Sequence, residues 1–381
     1  MKTKKILFIA YSGSEWMGGV YYVKNIAYQF LEYCRTVTDR KYKVYIYLSE
    51  DVKDVFSFAK AYDNVRFLYK KDMPWSKGQG FIPRNLRELG WILRIYLRGI
   101  DYVYPSYSDR SIYRDRLISW IPDYQHERYP QFFSEEELAF RREYYSQVAH
   151  NCARLVLSSQ DAYDTYRQLY PDCEGKVGVV HFVSAIQPED IADNVGEVYK
   201  NYGIEDHNYF IIANQFYSHK NHMTVLRALK QLKDEGQHIQ VICTGLTRDI
   251  KDPEFYPKVE AYIEGNGLSD MVKILGLIPR KEQLAIMRGA IAVLQPSMFE
   301  GWGTCTEDAK TLGKLTILSD IPVHREQADA GSTFFEAEDD AELAHILTDM
   351  WNKYYDKPKT EHYGIKCAVE YGRQFAEIME L

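Results

Sequence analysis

The chain has 381 residues, of which 46% are hydrophobic and 27% are charged, and its formal net charge is −7 at pH 7. This composition is that of a globular protein, so collagen-like, low-complexity and wholly disordered chains are excluded. The length predicts two domains. The negative net charge argues against a dedicated nucleic-acid-binding protein. Residues 1–120 are nevertheless basic, with 21 Lys and Arg against 12 Asp and Glu.

The N-terminus imitates a secretion signal, because three lysines precede an apolar run at residues 6–10. Polar Ser12 and Ser14 follow too soon for the apolar core of such a signal, and we expect a first β-strand instead. No apolar run approaches the roughly 18 residues of a membrane span. The six cysteines show neither disulfide nor zinc spacing. These features together predict a cytoplasmic protein.

Short runs rich in β-branched and aromatic residues alternate along the chain with longer segments of helical period. Most of these runs are continuously apolar, which is typical of parallel strands that are buried on both faces of a sheet. The pattern predicts an α/β fold. The predicted strands form two series, residues 5–11, 43–48, 65–69, 117–122, 155–158 and 177–183, then residues 209–213, 240–244, 272–275, 291–294 and 315–318.

A polar, proline-containing segment at residues 187–196 separates the two series and has the character of a linker. We therefore predict two doubly wound, Rossmann-like domains, residues 1–186 and 197–360, with a ligand held between the carboxyl ends of their sheets. Residues 361–381 are expected to form a closing helix that packs back toward the N-terminal domain.

The first predicted strand leads into a loop with the pair Gly18-Gly19, before a predicted helix over residues 21–33. A glycine pair in that position lets the backbone approach a phosphate, which a helix N-terminus attracts. The spacing matches neither the dinucleotide-binding nor the P-loop pattern, so dehydrogenases and P-loop NTPases lose their main support. A tight turn that simply requires glycine is the open alternative.

Residues 296–324 contain the strongest chemical signal: an acidic residue on a glycine-containing turn, then a helix with further acids and a buried strand. Gly301 and Gly303 free backbone amides to face an anion. Glu300 can accept paired hydrogen bonds from vicinal hydroxyls, and Asp308 can do the same for a ribose diol. Carboxylates beside a phosphate would repel it, so the pattern indicates a ligand that is rich in hydroxyl groups.

This segment resembles the donor site of the family 4 (group 1) retaining glycosyltransferases, whose signature is roughly E-G-[FW]-[GS]-x4-E-A. The two acids of the signature fall on Glu300 and Asp308, with Trp302 and Thr304 between them, and the neighbouring Glu307 leaves the register of the second acid open. The resemblance implies the GT-B fold, in which two Rossmann-like domains face each other across a cleft. It also implies a nucleotide-sugar donor, retention of the anomeric configuration and no cofactor.

Further donor-site residues follow from the same resemblance. Asn214, Gln215 and Lys220 lie in a segment similar to the family's phosphate-binding G-R-x4-K-G, with Lys220 on the lysine and Gln215 in place of the usual arginine. The neutral Gln215 predicts a weaker electrostatic pull on the diphosphate. Gly245 and Leu277 resemble the strand ends that border the nucleobase in the family.

His219 and His222 stand three residues apart without a third candidate ligand, a pattern that predicts no metal site. The metal-dependent GT-A glycosyltransferases are a poor alternative, because the sequence contains no Asp-x-Asp motif.

The acceptor side is expected at residues 120–134, where related enzymes often carry a His-Asp pair after a strand. The comparison puts Asp123 on the acid and Pro122 on the histidine, so the family's histidine is missing. His126, three residues further on, either supplies the lost hydrogen-bond donor or simply hydrogen-bonds the loop, and both alternatives stay open.

A basic and aromatic segment extends over residues 66–98. Arg87, Trp91, Arg94 and Arg98 would share one face of a predicted helix, with Arg84 beside them. Such a face suits an anionic bilayer, which would place the protein peripherally on the inner side of the membrane. An ordinary solvated face with extended arginines fits the segment equally well.

We therefore predict a metal-independent hexosyltransferase that moves a sugar from a nucleotide diphosphate to a hydroxyl of a glycan or lipid-linked glycan, as in cell-surface polysaccharide biosynthesis. The alternatives are a nucleotide-sugar epimerase of the same fold and a non-catalytic subunit that binds nucleotide sugars.

The predicted catalytic side chains are Glu300, Lys220, Asp123 and His126. Lys220 and the amides of the two glycine turns, Gly18-Gly19 and Gly303-Thr304, would stabilise the departing diphosphate. Glu300 would hold hydroxyls of the sugar.

Overall fold

The computed structural model describes residues 3–10, 17–38, 41–69, 98–106, 114–173, 175–205, 208–249, 251–355, 357 and 364–380. The chain divides into two compact units. Unit 1 comprises Met1–Tyr124, Ala139–Ala185 and Cys367–Leu381, and unit 2 comprises Gln125–Leu138 and Ile186–Lys366. Each unit is built around one parallel sheet.

Helices and strands alternate through most of the described chain. The strands are β1 (Lys4–Ala10), β2 (Tyr42–Leu48), β3 (Val65–Tyr69), β4 (Tyr102–Ser106), β5 (Leu117–Ile121), β6 (Arg154–Leu157), β7 (Lys176–Val179), β8 (Phe210–Ala213), β9 (Val241–Thr244), β10 (Val272–Ile274), β11 (Ala292–Gln295), β12 (Leu315–Ser319) and β13 (Ser332–Phe335). The α-helices are α1 (Met17–Thr36), α2 (Gln125–Arg128), α3 (Glu135–Asn151), α4 (Gln160–Leu169), α5 (Val195–Asn201), α6 (His222–Asp234), α7 (Phe255–Gly265), α8 (Arg280–Gly289), α9 (Thr304–Thr311), α10 (Pro322–Gln327), α11 (Asp340–Tyr354) and α12 (Ala368–Glu380). The 3₁₀ segments are Glu50–Ala61, Arg114–Arg116, Pro130–Phe132, Pro188–Asp190 and Ser218–Lys220.

The two sheets have the same strand order over six strands, and the sheet of unit 1 has a seventh. In unit 1 the strand order is β3-β2-β1-β4-β5-β6-β7, and in unit 2 it is β10-β9-β8-β11-β12-β13. All the pairings are parallel; Ile6, for example, lies opposite Val44, and Val293 lies opposite Ile211. The order reverses between β1 and β4 in one sheet and between β8 and β11 in the other. Ligands of such sheets bind beyond the carboxyl ends of the strands at these reversals.

The predicted α/β architecture with two doubly wound parallel sheets is confirmed. Two strands were not predicted, β4 and β13. Strand β4 contains Pro105, which lowers the strand propensity of its sequence. Strand β13 lies at the edge of its sheet and pairs with one neighbour only. Its sequence, Ser-Thr-Phe-Phe, lacks the continuous apolar run by which most of the other strands are predicted.

The glycine pair lies inside a helix and does not precede it, because α1 begins at Met17. Glycine is a poor helix former, which is why the sequence predicted a later start. Here the packing of the first turn decides, since Gly19 and Val20 are buried. Residues 11–16 of the predicted loop, and Arg84, Arg87, Trp91 and Arg94 of the predicted membrane face, lie outside the described residues.

The segment predicted as a linker contains helical structure and clusters with unit 2. It includes the 3₁₀ turn Pro188–Asp190 and the start of α5 at Val195. In the described part of the chain, no helix combines the length and the apolar character that a bilayer span requires.

The C-terminal helix α12 belongs to unit 1 and packs on α1. Phe375 is fully buried, with its ring centroid 5.6 Å from those of Phe8 and Phe30. Burial of such a ring stabilises a fold by about 2–3 kcal/mol. Gly372 lets the two helices approach closely, since a Cβ atom at this position would lie 2.1 Å from the carbonyl oxygen of Gln29.

We expect Gly372→Ala to destabilise the protein by about 1–3 kcal/mol, because the added methyl forces α12 away from α1. Urea unfolding followed by tryptophan fluorescence measures the change. The matched control is Gly265→Ala at the exposed end of α7, where a Cβ would meet no atom within 4 Å. Alanine is the better helix former, so the control should be neutral or slightly stabilising; equal behaviour of the two variants would contradict the close packing.

Candidate functional site

The candidate site of unit 2 is centred on an ion pair between Lys220 and Glu300. Lys220 ends the 3₁₀ turn that follows β8, and Glu300 lies in the turn that follows β11. Because β8 and β11 are neighbours in the sheet, their carboxyl ends meet at the strand-order reversal. Lys220 Nζ donates a hydrogen bond to Glu300 Oε1 at 2.6 Å. Two candidate residues that are 80 positions apart thus meet where a doubly wound sheet binds ligands.

The turns that carry this pair are joined by further hydrogen bonds. The backbone N–H of Met298 donates to the carbonyl of His219 at 2.8 Å. Asn221 adopts a left-handed conformation with φ 56°, and its Nδ2 donates to the carbonyls of Pro296 and Ala337 at 3.1 and 2.6 Å. These bonds fix the position of Lys220 relative to Glu300.

Glu300 is 8% exposed and is held by a network of buried polar groups. Gln295 Nε2 donates to Glu300 Oε1 at 2.7 Å, and Asn214 Nδ2 donates to Gln295 Oε1 at 3.0 Å. Burial has the largest single effect and would raise the pKa of Glu300, but the positive charge of Lys220, the charge of His324 and hydrogen bonds from Lys220 and Ser297 together outweigh it and lower the pKa to about 2. Glu300 is therefore a fixed anion that can accept hydrogen bonds from a ligand.

A buried histidine lies behind this carboxylate. His324, on α10, is fully buried, and its Nδ1 lies 2.8 Å from the carbonyl oxygen of Ser319. Burial lowers the pKa of His324, which the charge of Glu300 opposes in part. Its Nε2 has no hydrogen-bond partner among the described residues.

The acidic turn and helix α9 are tightly bound internally. The amide of Gly303 donates to Gln327 Oε1 at 3.2 Å, and Gln327 Nε2 donates back to the Gly303 carbonyl at 3.1 Å. The Gly303 amide thus has an acceptor within the protein, which differs from the expectation that it faces a diphosphate. Thr304 begins α9 beyond it, and Trp302 is buried.

The two candidates for the second acid have different partners. Glu307 accepts from Lys310 at 2.8 Å and from Gln327 at 3.1 Å. Asp308 accepts from Arg280 Nη2 at 2.5 Å. Both acids are at least 97% buried, so neither presents an open carboxylate.

The predicted nucleobase border lies beside Asn214. Gly245, at the end of β9, has φ 140°, and a Cβ there would lie 2.0 Å from the Asn214 carbonyl oxygen. Its amide donates to the carbonyl of Gly276 at 2.8 Å, next to Leu277, whose side chain is 72% exposed. Gln215 Oε1 accepts from the Leu246 amide at 2.6 Å. The side chain of Gln215 therefore joins two strand ends, whereas the sequence suggested that it contacts a phosphate.

The predicted acceptor segment divides between the units. Asp123 belongs to unit 1, and His126, which is 1% exposed, belongs to unit 2. The ring of His126 packs edge-on against Phe133 with centroids 6.3 Å apart. Its burial favours a role in loop packing.

Two aromatic residues of the same segment lie closer to the candidate site within unit 2. Tyr129 Oη donates to the carbonyl of Met298 at 3.1 Å. The ring of Phe132 stacks on Tyr129 and lies 6.2 Å from that of His219. No motif or period in the sequence points to these contacts, or to Gln295, His324 and Gln327. A contact such as that between Asn214 and Gln295 joins segments that are 81 positions apart.

His219 and His222 point to different surroundings, and the described residues contain no cluster of three or more His, Cys, Asp or Glu that could hold a metal. His222 is 2% exposed and stacks on Phe216 with centroids 4.2 Å apart. It borders a void of about 10 Å³ lined by apolar core residues. Neither ring nitrogen has a partner in the described part of the chain. Burial, with a smaller effect of Lys220, lowers the pKa of His222 to about 3.

We expect His222→Phe to stabilise the protein by about 1–3 kcal/mol at pH 7, because it removes two unsatisfied polar atoms and keeps the ring stacking. The gain should grow on acidification. Between the ordinary pKa of about 6.5 and the folded pKa of about 3, the histidine takes up a proton only in the unfolded chain. This protonation lowers the free energy of unfolding of the wild type by about 2 kcal/mol at pH 5. Urea unfolding at pH 7 and pH 5 tests this. His345→Phe, with a side chain 77% exposed, is the control and should show no growing difference.

Comparison with known protein families finds a similarity within unit 2. Residues 196–366 match the family model described as glycosyl transferases group 1. A search of curated sequences finds no significant match.

Solved structures with similar folds cover nearly the whole chain. Anabaena Alr3699/HepE in complex with UDP matches with a TM-score of 0.62 at 16% identity, over 99% of each chain. Sucrose-phosphate synthase from Thermosynechococcus elongatus matches with a TM-score of 0.63 at 14% identity, over 99% of this chain and 94% of that chain. WaaG, a glycosyltransferase involved in lipopolysaccharide biosynthesis, matches with a TM-score of 0.56 at 16% identity, over 99% of each chain. The chain therefore has the GT-B fold, and its residues 196–366 are similar to glycosyl transferases group 1.

Proposed function

We propose that the protein is a retaining glycosyltransferase, which moves a sugar from a nucleoside diphosphate to a hydroxyl of a glycan or lipid-linked glycan. The observation that supports this most directly is the Lys220–Glu300 pair. It lies at the carboxyl edge of the second sheet, at the strand-order reversal, and inside the region that matches glycosyl transferases group 1.

In this proposal the donor is bound by charges of both signs. Lys220, with the first-turn amides of α9, neutralises charge that develops on the departing diphosphate. Glu300 stays ionised and accepts hydrogen bonds from sugar hydroxyls. Lys220 supplies positive charge at the leaving group, so we propose a reaction without a metal ion. Among the described residues, no side chain near the pair is an evident nucleophile. We propose attack on the face that the diphosphate leaves, with a diphosphate oxygen accepting the proton of the acceptor hydroxyl.

The acceptor is proposed to approach the edge of unit 2 formed by Tyr129 and Phe132. Their stacked rings lie beside the turn that carries Glu300 and offer apolar faces to a pyranose. An acceptor of the cell-surface polysaccharide type fits this chemistry. All six cysteines are free, which fits a reducing, cytoplasmic compartment. Attachment to a membrane through residues 84–98 stays a prediction.

The test is to incubate the purified protein with UDP-, GDP- and ADP-sugars, with and without mono- and oligosaccharide acceptors, and to analyse the products by NMR. A transferase should release nucleoside diphosphate with an acceptor present and form a glycoside with the donor's anomeric configuration. An inverted product would overturn the retaining mechanism. A converted sugar nucleotide without any acceptor would indicate the epimerase, and thermal stabilisation by a donor without turnover would indicate the non-catalytic subunit.

A further inference from the structure

A line of hydrogen bonds connects the end of β9 with α9 through the first turn of α8. Gln283 Nε2 donates to Thr244 Oγ1 at 2.9 Å. Arg280 Nη1 donates to Gln283 Oε1 at 2.9 Å, and Arg280 Nη2 donates to Asp308 Oδ1. The side chains of Gln283 and Asp308 thus both hold the guanidinium of Arg280.

This line lies at the same edge of unit 2 as Glu300. Thr244 ends the strand next to β8, and Asp308 lies one turn into the helix that follows the Glu300 turn. Cys305 lies between Glu300 and Asp308 in sequence. Burial raises the pKa of its thiol to about 12; the charges of Asp308 and Glu300 also raise this pKa, and the charge of Arg280 lowers it. A nucleotide whose diphosphate lies at Lys220 would extend its ribose toward this line.

Arg280 is the accessible member of the ion pair. Its side chain is 25% exposed, whereas that of Asp308 is 2% exposed. A ligand that approaches from solvent therefore meets the guanidinium and not the carboxylate. Two N–H groups of a guanidinium form a planar fork that can bind two neighbouring oxygens, and the 2′- and 3′-hydroxyls of a ribose are two neighbouring oxygens.

We propose that Arg280 recognises the ribose diol of the nucleotide, and that Asp308 is a positioning residue that orients the guanidinium. The proposal rests on the nucleotide-sugar function above. It replaces the direct contact between Asp308 and ribose that the resemblance implied.

Calorimetric titration with UDP, GDP, ADP and their 2′-deoxy counterparts tests the proposal. For the base that binds, the wild type should prefer the ribonucleotide by roughly tenfold, the contribution of one hydrogen bond from a charged donor. Arg280→Gln should bring the ratio close to one. Lys281→Gln removes a positive charge from the adjacent, exposed position of α8 and should keep the wild-type ratio.

The two models for the ribose contact predict opposite results. If Asp308 bound the diol directly, Arg280→Gln would release the carboxylate and keep or raise the preference for ribose, and this result would overturn the proposal. Asp308→Ala should lower the ratio while leaving the affinity for the deoxynucleotide unchanged, because the anchor of Arg280 is lost and a merely structural defect would weaken both ligands.

Arg280→Lys keeps the positive charge next to Asp308 and serves as the second test variant if Arg280→Gln does not fold. It lacks the planar fork and should lose most of the discrimination; a wild-type ratio in this variant would also overturn the proposal. A wild type that binds a ribonucleotide and its deoxy counterpart equally refutes the role of Arg280 alone. A wild type that binds none of the nucleotides refutes the proposed function itself.

Discussion

Glu300→Gln is expected to lower the rate of glycosyl transfer by roughly 100- to 1000-fold. The substitution keeps the size of the side chain, and the amide oxygen can still accept the hydrogen bond that Gln295 donates to Glu300. The substitution removes the negative charge of Glu300, which the neighbouring Lys220 keeps ionised. The sugar hydroxyls then lose a charged acceptor, which is stronger than a neutral one.

Turnover of the donor with a saturating acceptor measures this effect, and the circular dichroism spectrum shows whether the variant is folded. The matched control is Asp340→Asn, which neutralises the carboxylate of another ion pair of unit 2, 3.0 Å from Arg227 Nε. The control should retain the wild-type rate. A Glu300→Gln enzyme that transfers sugar as fast as the wild type would show that Glu300 is not part of the donor site.

The pairing of Lys220 with Glu300 shows what the sequence can predict about this site. Each residue follows a continuously apolar strand, and such strands are recognised from composition alone. The acid and the lysine each lie in a short motif, so their roles were predicted separately. Their contact follows from the strand order, which places β8 beside β11 although more than 75 residues separate them.

The partners of the second acid could not be predicted in the same way. Arg280 and Asp308 are 28 residues apart on different helices, and Gln327 reaches Gly303 from a third. Side-chain hydrogen bonds between elements depend on the angle at which the helices pack on the sheet. This packing angle produces no periodic pattern or fixed spacing in the sequence. A sequence motif identified Glu307 and Asp308 as candidates, and only the packing shows that cations already neutralise both.

The edges of elements were also poorly defined by sequence. A continuous apolar run predicts a central strand, and β13 has no such run. As an edge strand, β13 has no partner strand on its outer side. Gly18 and Gly19 argued for a loop by their propensity, yet burial of the first turn extends α1 over both. In α1, tertiary packing outweighs a local preference of about 1 kcal/mol.

Lys220→Met is expected to destabilise the protein by about 3–5 kcal/mol at pH 7, because it leaves the buried carboxylate of Glu300 without its cation. The double variant Lys220→Met/Glu300→Gln lacks the carboxylate of Glu300 as well, so no unpaired charge is buried and most of the lost stability should return. Urea unfolding of the two single variants and the double variant measures the coupling between the residues. Lys230→Met provides the control, since Lys230 pairs with Asp234 on the exposed surface of α6 and such pairs contribute less than about 1 kcal/mol.

The pH dependence of these variants follows from the pKa of Glu300. In the wild type the folded pKa of about 2 lies below the ordinary value, so the ion pair stabilises the protein above about pH 4.5 and the stabilisation, about 3 kcal/mol, is lost as the pH falls toward 2. In Lys220→Met burial acts without the opposing cation and raises the pKa of Glu300, so protonation relieves the buried charge. The stability difference between the wild type and Lys220→Met should therefore shrink between pH 7 and pH 4. A difference that stays constant over this range would mean that Glu300 is not a buried anion held by Lys220, and the electrostatic basis of the candidate site would be wrong.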